Sequence, residues 1–222
     1  MTNMSNMDRI FQNIETARIS ISEYHIVKIV AISKYVQDID IKNLYEQGQR
    51  AFGESKVQDL SHKVETLDEL PLEWHFIGTL QKNKINHLLK LKPFLFQSLD
   101  SLSLASSLDD RLKKNNQKIS ALLQINSSNE DSKSGVELDK AIDIYQEIQE
   151  KYTNIDMQGV MCIGAFSDEK KDIQKSFEGT YKIFEHLKNN NAKICSMGMS
   201  NDYQLAIKCG SNMVRIGRAF FE

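Results

Sequence analysis

A lysine that closes an apolar strand is placed for covalent chemistry. Lys34 follows the run Ile26-Val27-Lys28-Ile29-Val30-Ala31-Ile32-Ser33. Alternation along a strand puts Lys28, Val30, Ile32 and Lys34 on one face. If Ile32 points into a core, Lys34 stands at its mouth. A desolvated amine there titrates low and can condense with a carbonyl to a Schiff base. The alternative is a solvated surface lysine. Lys28 shares the face at its far end, where a structural ion pair is expected. Arg215 lies inside a second apolar run, Met213-Val214-Arg215-Ile216-Gly217. Burying a guanidinium is costly unless acceptors meet it, so Arg215 is either a ligand contact or one half of an internal salt bridge. Gly217 with Arg218, and the run Ser196-Met197-Gly198-Met199-Ser200, have the composition of an anion site. Backbone N–H groups at a helix start, with Ser200 as N-cap, and small residues permit close approach, although any helix start shares that look. His75 and His87 are acid–base groups on one reading and core or capping histidines on the other. Lys133, in the polar run Asp131-Ser132-Lys133-Ser134-Gly135, reads as a solvated loop lysine. No Ser/His/Asp order, P-loop or HExxH pattern is present.

The elements that must position these residues alternate in kind. Short apolar, β-branched runs at 26–33, 51–54, 73–78, 95–99, 119–126, 157–163, 193–197 and 213–217 predict eight strands. Polar segments with helical spacing at 39–48, 56–67, 82–91, 101–114, 136–151, 168–189 and 201–209 predict the helices between them, with Gly48 as a C-cap. Ile10, Phe11, Ile14, Ala17 and Ile21 form an apolar stripe on one further helix at the N-terminus. Eight strand–helix alternations predict an α/β fold, a (β/α)8 TIM-type barrel. Five residues follow the last strand, too few for a full closing helix, so the extra N-terminal helix is expected to fill that gap. A doubly wound open sheet is the alternative. It would carry a glycine-rich loop after the first strand, where Ser33-Lys34-Tyr35 stands instead. In a barrel, chemistry sits at the C-terminal strand ends, which are the places of Lys34, Gly217 and Ser196 to Ser200.

Composition bounds the rest. The chain has 222 residues, 41% hydrophobic and 26% charged, which supports one packed core. Lys and Arg number 28 against 30 Asp and Glu, a net charge of −2, and no basic patch stands out. Nucleic acid is therefore not an expected partner. Three cysteines (Cys162, Cys195, Cys209) without CxxC or Cys/His ligand spacing argue against a disulfide framework or zinc site. There is no signal-peptide core and no apolar run of membrane length. A cytoplasmic location, no membrane, and one domain over 1–222 are expected. Nothing marks an interface, and a monomer is expected.

Seven segments, in order, carry a resemblance: Ala31-Ile32-Ser33-Lys34, Gly48-Gln49-Arg50-Ala51-Phe52-Gly53-Glu54, Trp74-His75-Phe76-Ile77-Gly78, Leu80-Gln81-Lys82-Asn83-Lys84, Ser132-Lys133-Ser134-Gly135, Ser196-Met197-Gly198-Met199-Ser200 and Val214-Arg215-Ile216-Gly217. Together they closely resemble the pyridoxal 5′-phosphate (PLP) homeostasis protein family, which is similar to the barrel domain of alanine racemase. The resemblance covers about residues 26 to 220. It implies that Lys34 forms the Schiff base with PLP and that Arg215 faces the pyridine nitrogen. It also implies that Ser200, Gly217 and Arg218, with the turn of Ser196, Met197, Gly198 and Met199, cradle the phosphate. His75 and Ile77 would line the cofactor face. Ser55 stands where the family usually has an asparagine at the cofactor, Val36 where a second lysine often lies, and Arg218 where a small hydroxyl residue is common. An arginine is always charged and disfavours a proton on the ring nitrogen, which weakens PLP as an electron sink. Alanine racemase adds a second base from a C-terminal β-domain, and this chain ends at Glu222. The implied function is a non-catalytic PLP carrier or regulator, with apo-forms of PLP-dependent enzymes as partners. The alternatives are a PLP-dependent, racemase-like enzyme acting on amino acids and a barrel that binds a phosphorylated metabolite without PLP.

Overall fold

Strands that are apolar on both faces must be covered on both faces, and a barrel wrapped in helices does this. The computed structural model describes residues 6–128, 130 and 134–221. Its strands are β1 (Lys28–Ile32), β2 (Ala51–Glu54), β3 (Glu73–Phe76), β4 (Leu95–Leu99), β5 (Ile119–Asn126), β6 (Val136–Glu137), β7 (Ile155–Cys162), β8 (Ile194–Ser196) and β9 (Met213–Ile216). Its helices are α1 (Asn6–Ile19), α2 (Asp38–Glu46), α3 (Val57–Thr66), α4 (Ile85–Lys90), α5 (Leu102–Asn115), α6 (Ala141–Lys151), α7 (Lys170–Leu187), α8 (Tyr203–Lys208) and α9 (Arg218–Phe221). Eight parallel strands close a ring in the order β1-β2-β3-β4-β5-β7-β8-β9, with β9 pairing back to β1. The two-residue β6 lies outside the ring, on the end of β5. The fold is therefore a (β/α)8 TIM-type barrel with an extra N-terminal helix, and the doubly wound alternative falls because the sheet has no open edge between β1 and β9.

The side chains divide into two cores. Val30, Ile32, Ala51, Leu95, Leu122, Met161 and Met213 fill the barrel interior. A larger cluster fills the layer between strands and helices. The floor of the interior is closed by the Lys28–Glu73 ion pair, with the Lys28 amine 4.6 Å from the centre of the Phe94 ring.

α1 buries Met7, Ile10, Ile14 and Ala17, spaced three and four apart. It packs on α8 and α9, and Asn13 donates to the Tyr203 hydroxyl at 3.0 Å. Phe11 and Ile21, expected on that stripe, are each 42% exposed. One helical step turns Phe11 away from the Met7–Ile10–Ile14 line, and Ile21 lies past the helix end. Ile26 is also exposed, so β1 starts two residues later than the apolar run implies. The helix expected from Val136 begins with β6 and a 3-10 turn, because the first residues pair with Ile125 and Asn126. Gly48 ends α2 at φ +104, its N–H donating to the Tyr45 carbonyl, as a glycine C-cap does. Among the described residues no helix is long and apolar enough to cross a membrane.

One strand changes phase. Ala121 pairs with Met157 but Leu122 pairs with Gly159, so β7 carries one surplus residue, Gln158. Gly159 has φ +146, and a Cβ there would lie 1.9 Å from the Ile194 carbonyl oxygen. Only glycine fits this bulge. Below it Met157 faces the helices, and above it Met161 faces the interior.

Candidate functional site

Lys34 emerges at the C-terminal end of β1, two residues past Ile32, which lines the interior. Its side chain is half-buried. Among the described residues its amine makes no hydrogen bond or ion pair and lies 5.4 Å from the centre of the Tyr35 ring. Tyr35 itself has φ +87, an uncommon conformation for a bulky residue that costs about 1–3 kcal/mol and persists only when its surroundings impose it. Those surroundings begin at the buried Ser33. Its N–H donates to the Gly53 carbonyl at 3.0 Å and its hydroxyl to Glu54 Oε1 at 2.7 Å. Lys63 of α3 donates to Glu54 Oε1 and to the Ser33 carbonyl, both at 2.6 Å. A buried ion pair thus clamps the chain one residue before Lys34 and one before Ser55.

Ser55 is half-buried at the end of β2. The turn after β3 passes so near that a Cβ on Gly78 would sit 1.9 Å from the Ser55 carbonyl oxygen. Ile77 packs on the inner core beside Gly53, where a Cβ would meet Ile32 at 2.6 Å. Ile32 and Ile77 therefore form an apolar shelf below Lys34. His75 lies one inward step deeper and is fully buried. Burial, then the charge of Lys28, pushes it down to about 3, so it is neutral. His87, on α4, is exposed.

Arg215 is 4% exposed. Nη1 donates to the Ser196 carbonyl at 2.8 Å and its hydroxyl at 2.7 Å, and Nη2 to the Cys162 carbonyl at 2.8 Å. No carboxylate pairs with it among the described residues, so the salt-bridge reading does not hold. Burial lowers its pKa, yet an arginine keeps its charge. Three of its five N–H groups are satisfied by these bonds, which leaves Nε–H and one Nη2–H for a ligand.

On the β8–β9 side, the Ser200 hydroxyl oxygen accepts the Gly217 N–H at 3.3 Å, tying the two loops together and leaving the hydroxyl proton to donate. A Cβ on Gly217 would make only ordinary contacts, 3.4 and 3.5 Å from Ile32 atoms. The protein itself could accommodate a side chain there, and its absence leaves open space at the mouth for close approach of an anion. Gly198 has φ +94, and a Cβ would collide with Ala206 at 2.6 Å. Met197 turns into the core, its N–H bonded to the Met213 carbonyl. Met199 is exposed, and Arg218 is exposed at the start of α9. Ser200 is not the helix N-cap. That position is Asp202, and α8 starts at Tyr203. The Asp202 carboxylate instead accepts the Met199 N–H at 2.6 Å and so shapes the turn.

The barrel therefore brings Lys34, Ser55, Ile77, Ser200, Gly217 and Arg218 to one mouth, with Arg215 and Ser196 beneath it and His75 deeper still. Ser132 and Lys133 lie outside the described residues. Sequence reasoning passed over Gln97, Glu54, Lys63 and Asp202. Gln97 alone left a signal: it interrupts Leu95-Phe96-Gln97-Ser98-Leu99 at the inward parity, as Arg215 interrupts β9. A free amine, a guanidinium with two unused N–H groups, and a hydroxyl beside a glycine edge fit an aldehyde, a ring nitrogen and a phosphate. By the chemistry of its donors, the site fits PLP.

Fold and site define a (β/α)8 barrel of the alanine racemase type. An alanine racemase of Clostridium difficile superposes with a TM-score of 0.75 at 18% identity, over 97% of this chain and 56% of that one. The chain matches the family "Alanine racemase, N-terminal domain" over residues 5–222. It is 50% identical over 216 residues to the pyridoxal phosphate homeostasis protein of Helicobacter pylori, covering 97% of this chain and 96% of that protein. It is 33% identical over 213 residues to the human protein of that name, covering 87% and 75%. The chain belongs to the pyridoxal phosphate homeostasis proteins, within the alanine racemase N-terminal domain family. PipY of Synechococcus elongatus, solved with PLP bound, superposes with a TM-score of 0.81 at 26% identity, over 96% of this chain and all of that one.

Proposed function

We propose that this chain holds PLP as a Schiff base on Lys34, within one barrel domain spanning 1–222, and that it stores or delivers the cofactor rather than running a reaction with it. The observation that carries the reading is the Lys34 amine, without an ion pair among the described residues, above a buried guanidinium that no carboxylate pairs with among them. When bound, PLP supplies an electrophilic aldehyde and an electron-withdrawing ring. Lys34 binds it, Ile32 and Ile77 exclude water beneath it, Ser200 and the Gly217 edge orient its phosphate, and Arg215 meets its ring nitrogen. Arg215 keeps its own charge and so disfavours a proton on that nitrogen. His75 is neutral and sealed away, which leaves it unfit to exchange protons with a substrate. The names of relatives at 50% and 33% identity point the same way. A cytoplasmic monomer that supplies apo-forms of PLP-dependent enzymes completes the reading.

The test is the visible absorbance of the protein with PLP, before and after borohydride reduction, for wild type and Lys34→Ala. Wild type is expected to show a band that reduction fixes on Lys34, and the variant to lose it. An unchanged band in the variant would remove Lys34 as the anchor. Rapid, Lys34-dependent racemisation of an amino acid would refute the non-catalytic role and favour the racemase-like alternative.

A further inference from the structure

Arg215 does not stand alone in the barrel. The hydroxyl it donates to, on Ser196, itself donates to Gln97 Oε1 at 2.7 Å. The other end of the same amide, Nε2, donates to His75 Nδ1 at 2.9 Å. Arg215 and Ser196 sit on β9 and β8, Gln97 and His75 on β4 and β3, so the chain of bonds crosses the interior from wall to wall. Every member is buried: Gln97, Ser196 and His75 are fully enclosed.

We propose that Gln97 is a positioning residue, which fixes the Ser196 hydroxyl so that Arg215 presents its unused N–H groups to the ring nitrogen of the bound cofactor. This rests on the reading above that PLP binds with its nitrogen towards Arg215. The direction of the protons carries the argument. Gln97 Oε1 takes the Ser196 proton, so a Ser196 lone pair faces Nη1 of Arg215. His75 accepts on Nδ1 and therefore carries its proton on Nε2, which has no partner among the described residues. A neutral His75 keeps this one orientation across the neutral pH range. Freed from Gln97, the Ser196 hydroxyl could rotate its proton towards the guanidinium, and Arg215 would lose one of its three acceptors and be held by the Ser196 and Cys162 carbonyls alone. Such a bond to a charged group, buried in low dielectric, is strongly directional.

The experiment compares two ligands that differ at one atom: PLP and its analogue with the ring nitrogen replaced by carbon. Both carry the aldehyde and phosphate, and both can be trapped on Lys34 by borohydride. Their dissociation constants are measured for wild type and for Gln97→Met, which keeps volume without either hydrogen bond. Wild type is expected to prefer PLP by about tenfold or more, the scale of one charged hydrogen bond. Gln97→Met is expected to bring that preference close to one while leaving the affinity for the carbon analogue unchanged. If both ligands weaken equally in the variant, Gln97 is merely structural and the proposal is overturned. A wild type that does not discriminate overturns it too, because Arg215 then makes no contact with the nitrogen. Should Gln97→Met fail to fold, Ser196→Ala removes the same acceptor and is expected to lose the same preference; an intact preference there refutes the proposal. A wild type that takes neither ligand on Lys34 instead brings down the PLP reading on which the proposal stands.

Discussion

Lys63 and Arg215 are both buried cations, 6% and 4% exposed, and they are compensated in opposite ways. Lys63 lies outside the barrel, between α3 and the strand ends, and pairs with a fully buried carboxylate, Glu54. Arg215 lies inside the barrel and, among the described residues, has only carbonyls and a hydroxyl as acceptors. A buried charge with its counterion is tied into the scaffold, although Glu54 Oε2 keeps no hydrogen-bond partner among the described residues. A buried charge without one keeps unspent capacity, and here that capacity faces the mouth. The difference separates scaffold from site without reference to sequence motifs.

The contrast can be broken at its strongest point first. Glu54→Ala leaves Lys63 buried and unpaired, and is expected to cost about 3–5 kcal/mol of unfolding free energy. Replacing both partners by Met should recover most of that loss, since the cost belongs to the stranded charge. Chemical denaturation of the three proteins checks this, and equal stability for the single and double variants would mean the pair is not a unit. Next, Arg215→Met removes a cation that forms no ion pair among the described residues. It is expected to destabilise less, by about 1–3 kcal/mol for the acceptors left unpaired, while PLP affinity falls about tenfold or more. Calorimetric binding decides this: an affinity unchanged from wild type would make Arg215 as structural as Lys63.

The smallest effect concerns His75, at the far end of the Arg215 network. In the folded chain it is pushed down to about 3, below the value of about 6.5 expected when unfolded. Below about pH 6.5 the unfolded chain takes up a proton that the folded chain refuses. The stability is therefore complete above that pH and is lost as pH falls towards 3, by at most about 1.4 kcal/mol per unit. Urea midpoints at pH 6.5 and pH 5 should show this slope in wild type and a shallower one in His75→Gln. Identical slopes would place His75 in contact with water.

Much of this was open to reading from the sequence, for physical reasons. The barrel follows from alternating periods, and local patterns carry that signal. Lys34 and Arg215 are polar residues at fixed parity in apolar runs, so strand geometry exposes them. Gln97 obeys the same rule but carries no charge and draws less notice. The Glu54–Lys63 pair depends on how α3 lies over β2, and no local pattern encodes that packing. The φ of Tyr35 belongs to the turn closed by the Val36 N–H on the Ser33 carbonyl, an oxygen that Lys63 also holds. Strand and helix ends drifted by a few residues, as at Ile26 and Val136, because pairing and exposure set them.

The surplus residue in β7 has one more implication. The strand is two stretches of alternation spliced at Gly159, and the bulge absorbs the surplus residue so that both stay in phase with β5. Deleting Gln158 would restore plain alternation from Met157 to Cys162, whereas deleting Val160, above the bulge, would turn Met161 outward and move the Cys162 carbonyl that Arg215 now holds. The charge at the centre of the barrel thus depends on a counting rule encoded two strands away, so a length change above the bulge in β7 should cost the site more than most substitutions there.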